Sequence, residues 1–186
     1  MNEDIPSHSL SPATPPDLHF VVDSEAKPRV RSLAKGWRHA FGRTLSALWQ
    51  TEQPGRGGQI GVILVGTDRI RALNRDFRGN DRPTDVLSFD LSDTPDEIEG
   101  EIYISVDAAR AQAEEAGCAF SEELARLVVH GALHLAGYDH HSPADGRRMA
   151  AATRRWLAHW QDGASPSLMN KESNEKWMIL TVPGRS

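Results

Sequence analysis

The chain has 186 residues, 39% of them hydrophobic and 25% charged, so it is long enough for one domain with a substantial core. Its formal net charge of −5 disfavours a protein that coats nucleic acid indiscriminately, because such binding requires a positive surface. The single cysteine, Cys118, excludes an internal disulfide, and no segment reaches the ~20 apolar residues that a membrane span needs. We therefore expect a cytoplasmic protein with no membrane segment.

The first half of the chain alternates between strand and helix patterns. Residues 1–16 combine prolines with serine and threonine and have little to bury, which predicts a disordered extension. Turn residues and the period of the apolar positions define the elements that follow. These are a strand over 18–23, a helix over 30–51, a strand over 59–66 and a helix from about 67 to 77.

The second half begins with a strand pair and continues with helices. The expected elements are strands over 86–91 and 101–105, and helices over 107–117, 121–136 and 143–160. The helix at 121 has a plausible capped start, Ser121-Glu-Glu-Leu. This order predicts a single α+β domain over residues 17–160, with one mixed β-sheet covered by helices. Residues 161–186 are expected to form a loose tail.

The stretch VVHGALHLAGYDHH, residues 128–141, contains half of the eight histidines in the chain. On a helix, His130 and His134 lie four residues apart and therefore share one face. Gly137 is suited to end the helix, so that the chain can return His140 toward the other two imidazoles. Three nitrogen ligands with one open position are typical of a catalytic zinc. We therefore predict a zincin-like metal helix with one zinc ion per chain.

This spacing matches the metal-binding helix of metzincin proteases, with one exception. Gly131 stands where those enzymes keep the glutamate that acts as general base. Either another residue supplies that function or the substrate is not a peptide. A glutamate introduced at Gly131 is expected to place a carboxylate beside the substrate. Of the neighbouring residues, His141 is expected to face solvent and Asp139 to serve the turn or to orient an imidazole.

A second unusual stretch, LNRDFRGNDRPTDVLSF, spans residues 73–89 and connects a helix to a strand. Arg78 is either a surface arginine or a phosphate clamp, for which a planar, permanently charged guanidinium is suited. Asp85 is expected to bond to backbone amides of the turn. Because the protein is acidic, recognition of a nucleic acid would require a local basic groove, with Arg31, Lys35 and Arg38 as candidate walls.

Three motifs together resemble the YbeY family of bacterial endoribonucleases, which are metal-dependent rRNA maturation factors. They are LNRDFRGNDRPTDVLSFD, GEIYIS and HGALHLAGYDHH, in this order across roughly residues 60–150. The resemblance implies a zinc held by His130, His134 and His140, and Arg78 as the arginine that serves the RNA substrate. It also implies cleavage of single-stranded RNA, 3′ end maturation of small-subunit ribosomal RNA, ribosome quality control, and contact with the ribosome or its assembly proteins.

The sequence departs from the family pattern at two places and leaves two other functions open. Asp90 stands where the family usually has proline, and the MAAATRRW stretch from Met149 lacks the usual glutamate. The first alternative is a metallopeptidase of the zincin type, which the spacing favours and Gly131 opposes. The second is a non-catalytic ribosome-assembly factor in which zinc only braces the fold.

Overall fold

The structure is a computed structural model that describes residues 14–164, the last two without their side chains. The expected extension, apart from residues 14–16, and the expected tail beyond residue 164 lie outside the described residues. The elements are β1 (Asp17–Val22), α1 (Trp37–Glu52), β2 (Gly57–Val65), α2 (Thr67–Arg78), β3 (Val86–Asp90), β4 (Glu97–Ser105), α3 (Val106–Ala116), α4 (Phe120–Leu135) and α5 (Pro143–Ala164).

The strands form one mixed sheet in the order β1-β2-β4-β3, which confirms the expected α+β class. The first three strands of this order run parallel, and β3 pairs antiparallel with β4 as the expected hairpin. In that pair Ser88 lies opposite Ile102. β3 is therefore a short edge strand, and its outer side has no neighbouring strand among residues 14–164.

The two faces of the sheet are covered unequally. The larger core lies between one face and helices α1, α3, α4 and α5, and includes Val62, Ile102 and Leu133. A smaller cluster on the other face packs α2 against β3 through residues such as Ile70 and Leu87. Because successive side chains of a strand point to opposite faces, β2, β3 and β4 contribute to both clusters, whereas β1 contributes only to the larger one. No helix in the described part of the chain has the length and hydropathy of a membrane span.

Helix α1 begins later than the expected range of 30–51, at Trp37. The residue before it, Gly36, has a φ of 87°, which is left-handed backbone that interrupts a helix. The chain before Gly36 forms turns instead. Val30 and Leu33 nevertheless pack against the main core, so their apolar spacing imitates a helical face without being helical. The expected start of this helix was wrong for that reason.

Strand β4 is longer than the expected 101–105, because it begins at Glu97. Ile98 is buried between the exposed residues Glu97 and Glu99, so the acidic stretch follows the period of two that a strand requires. Its backbone continues the parallel ladder with β2. The high density of acidic residues in this stretch is typical of a loop, so the alternation of buried and exposed residues was not recognised from the sequence.

Two helix ends also differ from expectation. The residue at the N-cap of α4 is Ala119, which makes no side-chain cap, so the expected capping by Ser121 is wrong. Glu123 is buried and its carboxylate accepts hydrogen bonds from Arg126 at 2.9 Å. Helix α5 continues to Ala164, past the expected end at residue 160.

Close packing of α4 on the sheet sets the position of the histidines. A Cβ atom added to Gly131 would lie 2.5 Å from Cγ2 of Ile102 and 3.0 Å from Oγ of Ser88. Ser88 also donates a hydrogen bond from its hydroxyl to the carbonyl of Gly131, at 3.1 Å. Position 131 therefore faces β3 and β4. The expectation that a glutamate at Gly131 would present its carboxylate to a substrate is wrong, because the sheet occupies that space.

We predict that Gly131→Ala lowers the free energy of unfolding by about 1–3 kcal/mol, since the added methyl group overpacks the contact between α4 and the sheet. The matched control is Gly146→Ala in α5, where an added Cβ would meet no atom nearer than 3.9 Å. That variant should be neutral or gain up to about 1 kcal/mol from helix propensity. Urea unfolding followed by circular dichroism measures both, and equal effects would contradict the packing argument.

Candidate metal centre

Helix α4 and the turn after it bring three histidines together. His130 and His134 are one helical turn apart, and their ring centroids are separated by 4.8 Å. The ring of His140 lies 5.2 Å from that of His134 and 6.3 Å from that of His130. The structure thus gathers all the histidines that the spacing indicated as ligands.

The return of the chain depends on a Schellman motif at the end of α4. Gly137 has a φ of 89°, and its amide donates to the carbonyl of His134 at 3.0 Å. The amide of Tyr138 donates to the carbonyl of Leu133 at 2.9 Å, which completes the motif. The motif requires a positive φ at residue 137, a conformation that glycine adopts without strain, so the reversal of the chain depends on this glycine.

Asp139 lies within the same cluster. One ligand atom from each of His134, Asp139 and His140 lies within 4.8 Å of the others, an arrangement that could hold a metal ion. The two carboxylate oxygens already have partners, however. One accepts from the backbone amide of His140 at 2.7 Å and the other pairs with His141 at 2.6 Å. His141 itself is 86% exposed, so this pair lies at the rim of the cluster.

The protonation of the two half-buried histidines suits metal binding. Burial is the main cause that lowers the pKa of His130 to about 4, and the nearby groups His134 and Arg126 contribute to this lowering. Burial is also the main cause of the lowered pKa of His134. Both imidazoles are therefore neutral at pH 7, and a neutral imidazole keeps the nitrogen lone pair that a metal requires.

A hydrogen bond also selects the tautomer of His134. Its Nδ1 lies 3.0 Å from the carbonyl oxygen of Tyr138, which can only accept. Nδ1 therefore carries the proton and Nε2 is left with the lone pair. Contacts of this kind orient metal-binding histidines in general, and the fit of the cluster to a nitrogen-ligated ion rests on this contact and on the low pKa values.

The turn is clamped from behind by the end of α1, a contact that sequence reasoning missed. Glu52 accepts hydrogen bonds from the Tyr138 hydroxyl at 2.7 Å and from Nε1 of Trp156 at 3.0 Å. Its neighbour Gln53 donates to the carbonyl of Ala136 at 2.7 Å. Tyr138 thus contacts Glu52 through its side-chain hydroxyl, and it contacts the His134 ring through its own backbone carbonyl. No local sequence signal marks Glu52, because its partners lie 86 or more residues away.

Arg78 is the last residue of α2 and is exposed. Burial, Tyr138, His140 and Asp139 affect the pKa of His134 more strongly than the positive charge of Arg78, which lowers it. Asp85 accepts a hydrogen bond from the backbone amide of Val86 at 2.9 Å, as expected for a residue of the turn.

The three expected wall residues are not placed beside the histidines. Arg31 and Lys35 lie in the turns before α1, and Arg38 lies in its first turn with its guanidinium 4.4 Å from the Trp37 ring centroid. Glu52, which contacts the histidine turn, is at the other end of α1, about 21 Å away at the rise of an α-helix. Arg38 therefore does not line the histidine cluster, and no contact that the structure describes joins Arg31 or Lys35 to it.

A single α+β domain that presents three histidines from one helix and the turn after it defines a class of candidate metalloproteins. Within that class, the chain belongs to the Endoribonuclease YbeY family, whose sequence model matches residues 23–161. The resemblance of the three sequence motifs is thereby confirmed.

Individual relatives agree with this assignment. The Endoribonuclease YbeY of Desulfitobacterium hafniense is 52% identical over 143 residues, which cover 72% of this chain and 88% of that protein. The Endoribonuclease YbeY of Anaeromyxobacter sp. is 46% identical over 129 residues, which cover 68% of this chain and 65% of that protein, slightly under two thirds. The solution structure of TM1509 from Thermotoga maritima, 28% identical, has a TM-score of 0.55 and covers 86% of this chain and 99% of its own.

The clamp gives a prediction about pH. Burial raises the pKa of Glu52, but hydrogen bonds from Tyr138 and Trp156 and the charge of Arg155 outweigh it, so the pKa is held below its ordinary value of 4.5. The clamp therefore stabilises the fold fully above pH 4.5, and this contribution is lost as the pH falls through the lowered pKa.

We expect Glu52→Gln to lower the free energy of unfolding by roughly 1–3 kcal/mol at pH 7, because it removes a charged hydrogen-bond acceptor. The difference between parent and variant should shrink below pH 4.5. Urea titrations at several pH values measure this, with Glu114→Gln on the exposed surface of α3 as control. A difference that does not change with pH would show that the carboxylate charge is not what stabilises the turn.

Proposed function

We propose that this protein is a zinc-dependent endoribonuclease that cleaves single-stranded RNA in the cytoplasm. We further propose that it matures the 3′ end of small-subunit ribosomal RNA, takes part in ribosome quality control, and contacts the ribosome or its assembly proteins. The observation that carries the proposal is the convergence of His130, His134 and His140 in a chain of the Endoribonuclease YbeY family.

The cofactor is proposed from the chemistry of the ligand set. His130, His134 and His140 would hold one ion through imidazole nitrogens, a ligand type that suits zinc. When bound, zinc supplies a Lewis acid that stabilises negative charge on a phosphoryl oxygen. Partial burial keeps His130 and His134 neutral, and the contact with the Tyr138 carbonyl fixes the tautomer of His134, so that both rings keep a nitrogen lone pair for the ion.

Arg78 is proposed to bind the phosphate at the cleavage site. It is exposed and forms no ion pair with any residue in the described range 14–164, whereas Arg71 and Arg75 of the same helix are paired with Asp81 and Asp76. An arginine without a carboxylate partner keeps its full charge and planar hydrogen-bonding geometry for a phosphate. Its role is to bind and orient the substrate and to offset charge that develops on the phosphate.

Two observations count against the alternative of a zincin peptidase. Gly131 faces the sheet, so this helix position does not offer a base to the cluster. Glu123 of the same helix and Glu52, which contacts the histidine turn, are also engaged, the first with Arg126 and the second with Tyr138 and Trp156. For the second alternative, a zinc that only braces the fold, the exposure of His140 at the rim of the cluster is unfavourable, because a structural site is closed by a fourth protein ligand.

Metal analysis tests the cofactor. The purified protein should contain about one zinc per chain, and His134→Ala should lose both the metal and the cleavage of single-stranded RNA. The matched control is His141→Ala, since that side chain is 86% exposed and lies next to a proposed ligand. Full zinc content in His134→Ala, or RNA cleavage by the parent in excess chelator, would refute the site.

Kinetics test the arginine. Arg78→Ala should reduce kcat/KM for RNA about 100-fold, a typical loss when one donor to developing charge is removed, while the melting temperature stays unchanged because the residue is exposed. Arg78→Lys should restore activity poorly, since lysine keeps the charge without the planar fork. Arg75→Ala, one turn earlier and paired with Asp76, is the control and should retain activity.

A further inference from the structure

An exposed aromatic ring lies immediately before Arg78. Phe77 is 67% exposed, the largest value for a large apolar side chain among the described residues. One side of its ring is supported by Phe89 of β3, with the centroids 5.0 Å apart, and Phe89 in turn contacts Tyr103 of β4 at 5.9 Å. This row of three rings holds Phe77 in place and leaves its outer side in solvent.

The edge strand β3 lies between this ring and helix α4, which carries His130 and His134. Ser88 and Phe89 are consecutive, so their side chains point to opposite faces of the sheet. Ser88 bonds to the carbonyl of Gly131, next to His130, whereas Phe89 contacts Phe77 on the face covered by α2. A flexible strand of RNA that passes around the outer side of β3 would therefore meet both.

The charges along this path favour a nucleic acid. Arg78 follows Phe77 directly, and Arg82 lies in the loop between α2 and β3; both are exposed. Neither forms an ion pair with a residue that the structure describes, whereas the nearby Asp81 and Asp90 are paired with Arg71 and Arg56. The ring is thus flanked by free cations and by acids that are already neutralised.

We propose that Phe77 is a stacking platform for a nucleobase of the RNA substrate. The base next to the phosphate held by Arg78 stacks on the exposed side of the ring, while the strand passes around β3 toward the histidines. Proteins that bind single strands combine cations for the backbone with aromatic rings for the bases, and such stacking tolerates every base. This inference deepens the proposed function and rests on it.

The platform also accounts for a preference for single strands. In a duplex each base is stacked between its neighbours and paired, so a base must be unstacked before it can contact a protein ring. Phe77 would therefore bind an unpaired strand at no such cost and disfavour a duplex. Little dependence on base identity should accompany this preference, because each base offers a similar flat face.

The test compares cleavage of single-stranded oligoribonucleotides that lack one base at successive positions around the cut. For the zinc-loaded parent, one missing base should lower kcat/KM by about 5-fold to 150-fold, the range expected for one stacking contact. Phe77→Ala should lose a similar factor on intact RNA and lose nothing more when that base is missing. Phe77→Trp should keep the activity and the base dependence.

Further measurements distinguish stacking on the flat ring of Phe77 from an effect of apolar volume or of charge. Phe77→Leu keeps apolar volume over Phe89 but not the flat ring, and it should behave like Phe77→Ala. Leu91→Ala, at the other large apolar residue that is exposed within residues 14–164, at 49%, should cleave like the parent. The dependence of KM on salt should be unchanged in Phe77→Ala and weaker in Arg78→Ala, because only the second variant removes a phosphate contact.

The outcomes distinguish the two proposals. If the parent cleaves RNA and Phe77→Ala cleaves intact and base-deleted RNA like the parent, the platform is overturned and the proposed function stands. The platform is also overturned if Phe77→Ala retains the full penalty for the missing base, which would assign the ring to the fold or to a protein partner. If the zinc-loaded parent does not cleave RNA at all, the proposed function fails and the platform fails with it.

Discussion

The close approach of α4 to strands β3 and β4 is the constraint on which the site depends. Gly131 of α4 and Gly100 of β4 lie where a Cβ would meet a side chain of the opposite element at 2.5 and 2.7 Å. Each element therefore has a glycine, which has no side chain, where the two touch. The helix can then lie low on the sheet, and His130 and His134 come to stand beside an edge strand. A site on an edge is open to a long, flexible substrate from both faces of the sheet.

Much of the fold and the clustering of the three histidines could be predicted from sequence because the signals are local. His130, His134 and His140 are joined by one helix turn and one glycine-dependent reversal, and the strands around residue 102 alternate in the usual way. The misplaced boundaries share a cause. The turns before Gly36 carry apolar residues at helical spacing, and the acidic start of β4 hides Ile98 between charges.

The features that the sequence could not show are contacts between residues that are far apart in the chain. Glu52 supports the histidine turn through residues on α5 and beyond α4, and nothing near it in the chain indicates this. The wrong role given to position 131 has the same origin. A motif comparison records which side chain is missing there, but only the packing of α4 shows that the sheet leaves no room for one.

The span of chain between the histidines bears on the order in which the domain folds. His130 and His140 are ten residues apart, whereas the bond from Tyr138 to Glu52 closes 86 residues. Closing the longer loop costs about 2 kcal/mol more in chain entropy, since that cost grows with the logarithm of length. This difference in closure cost favours formation of the histidine cluster before the end of α1 docks behind it.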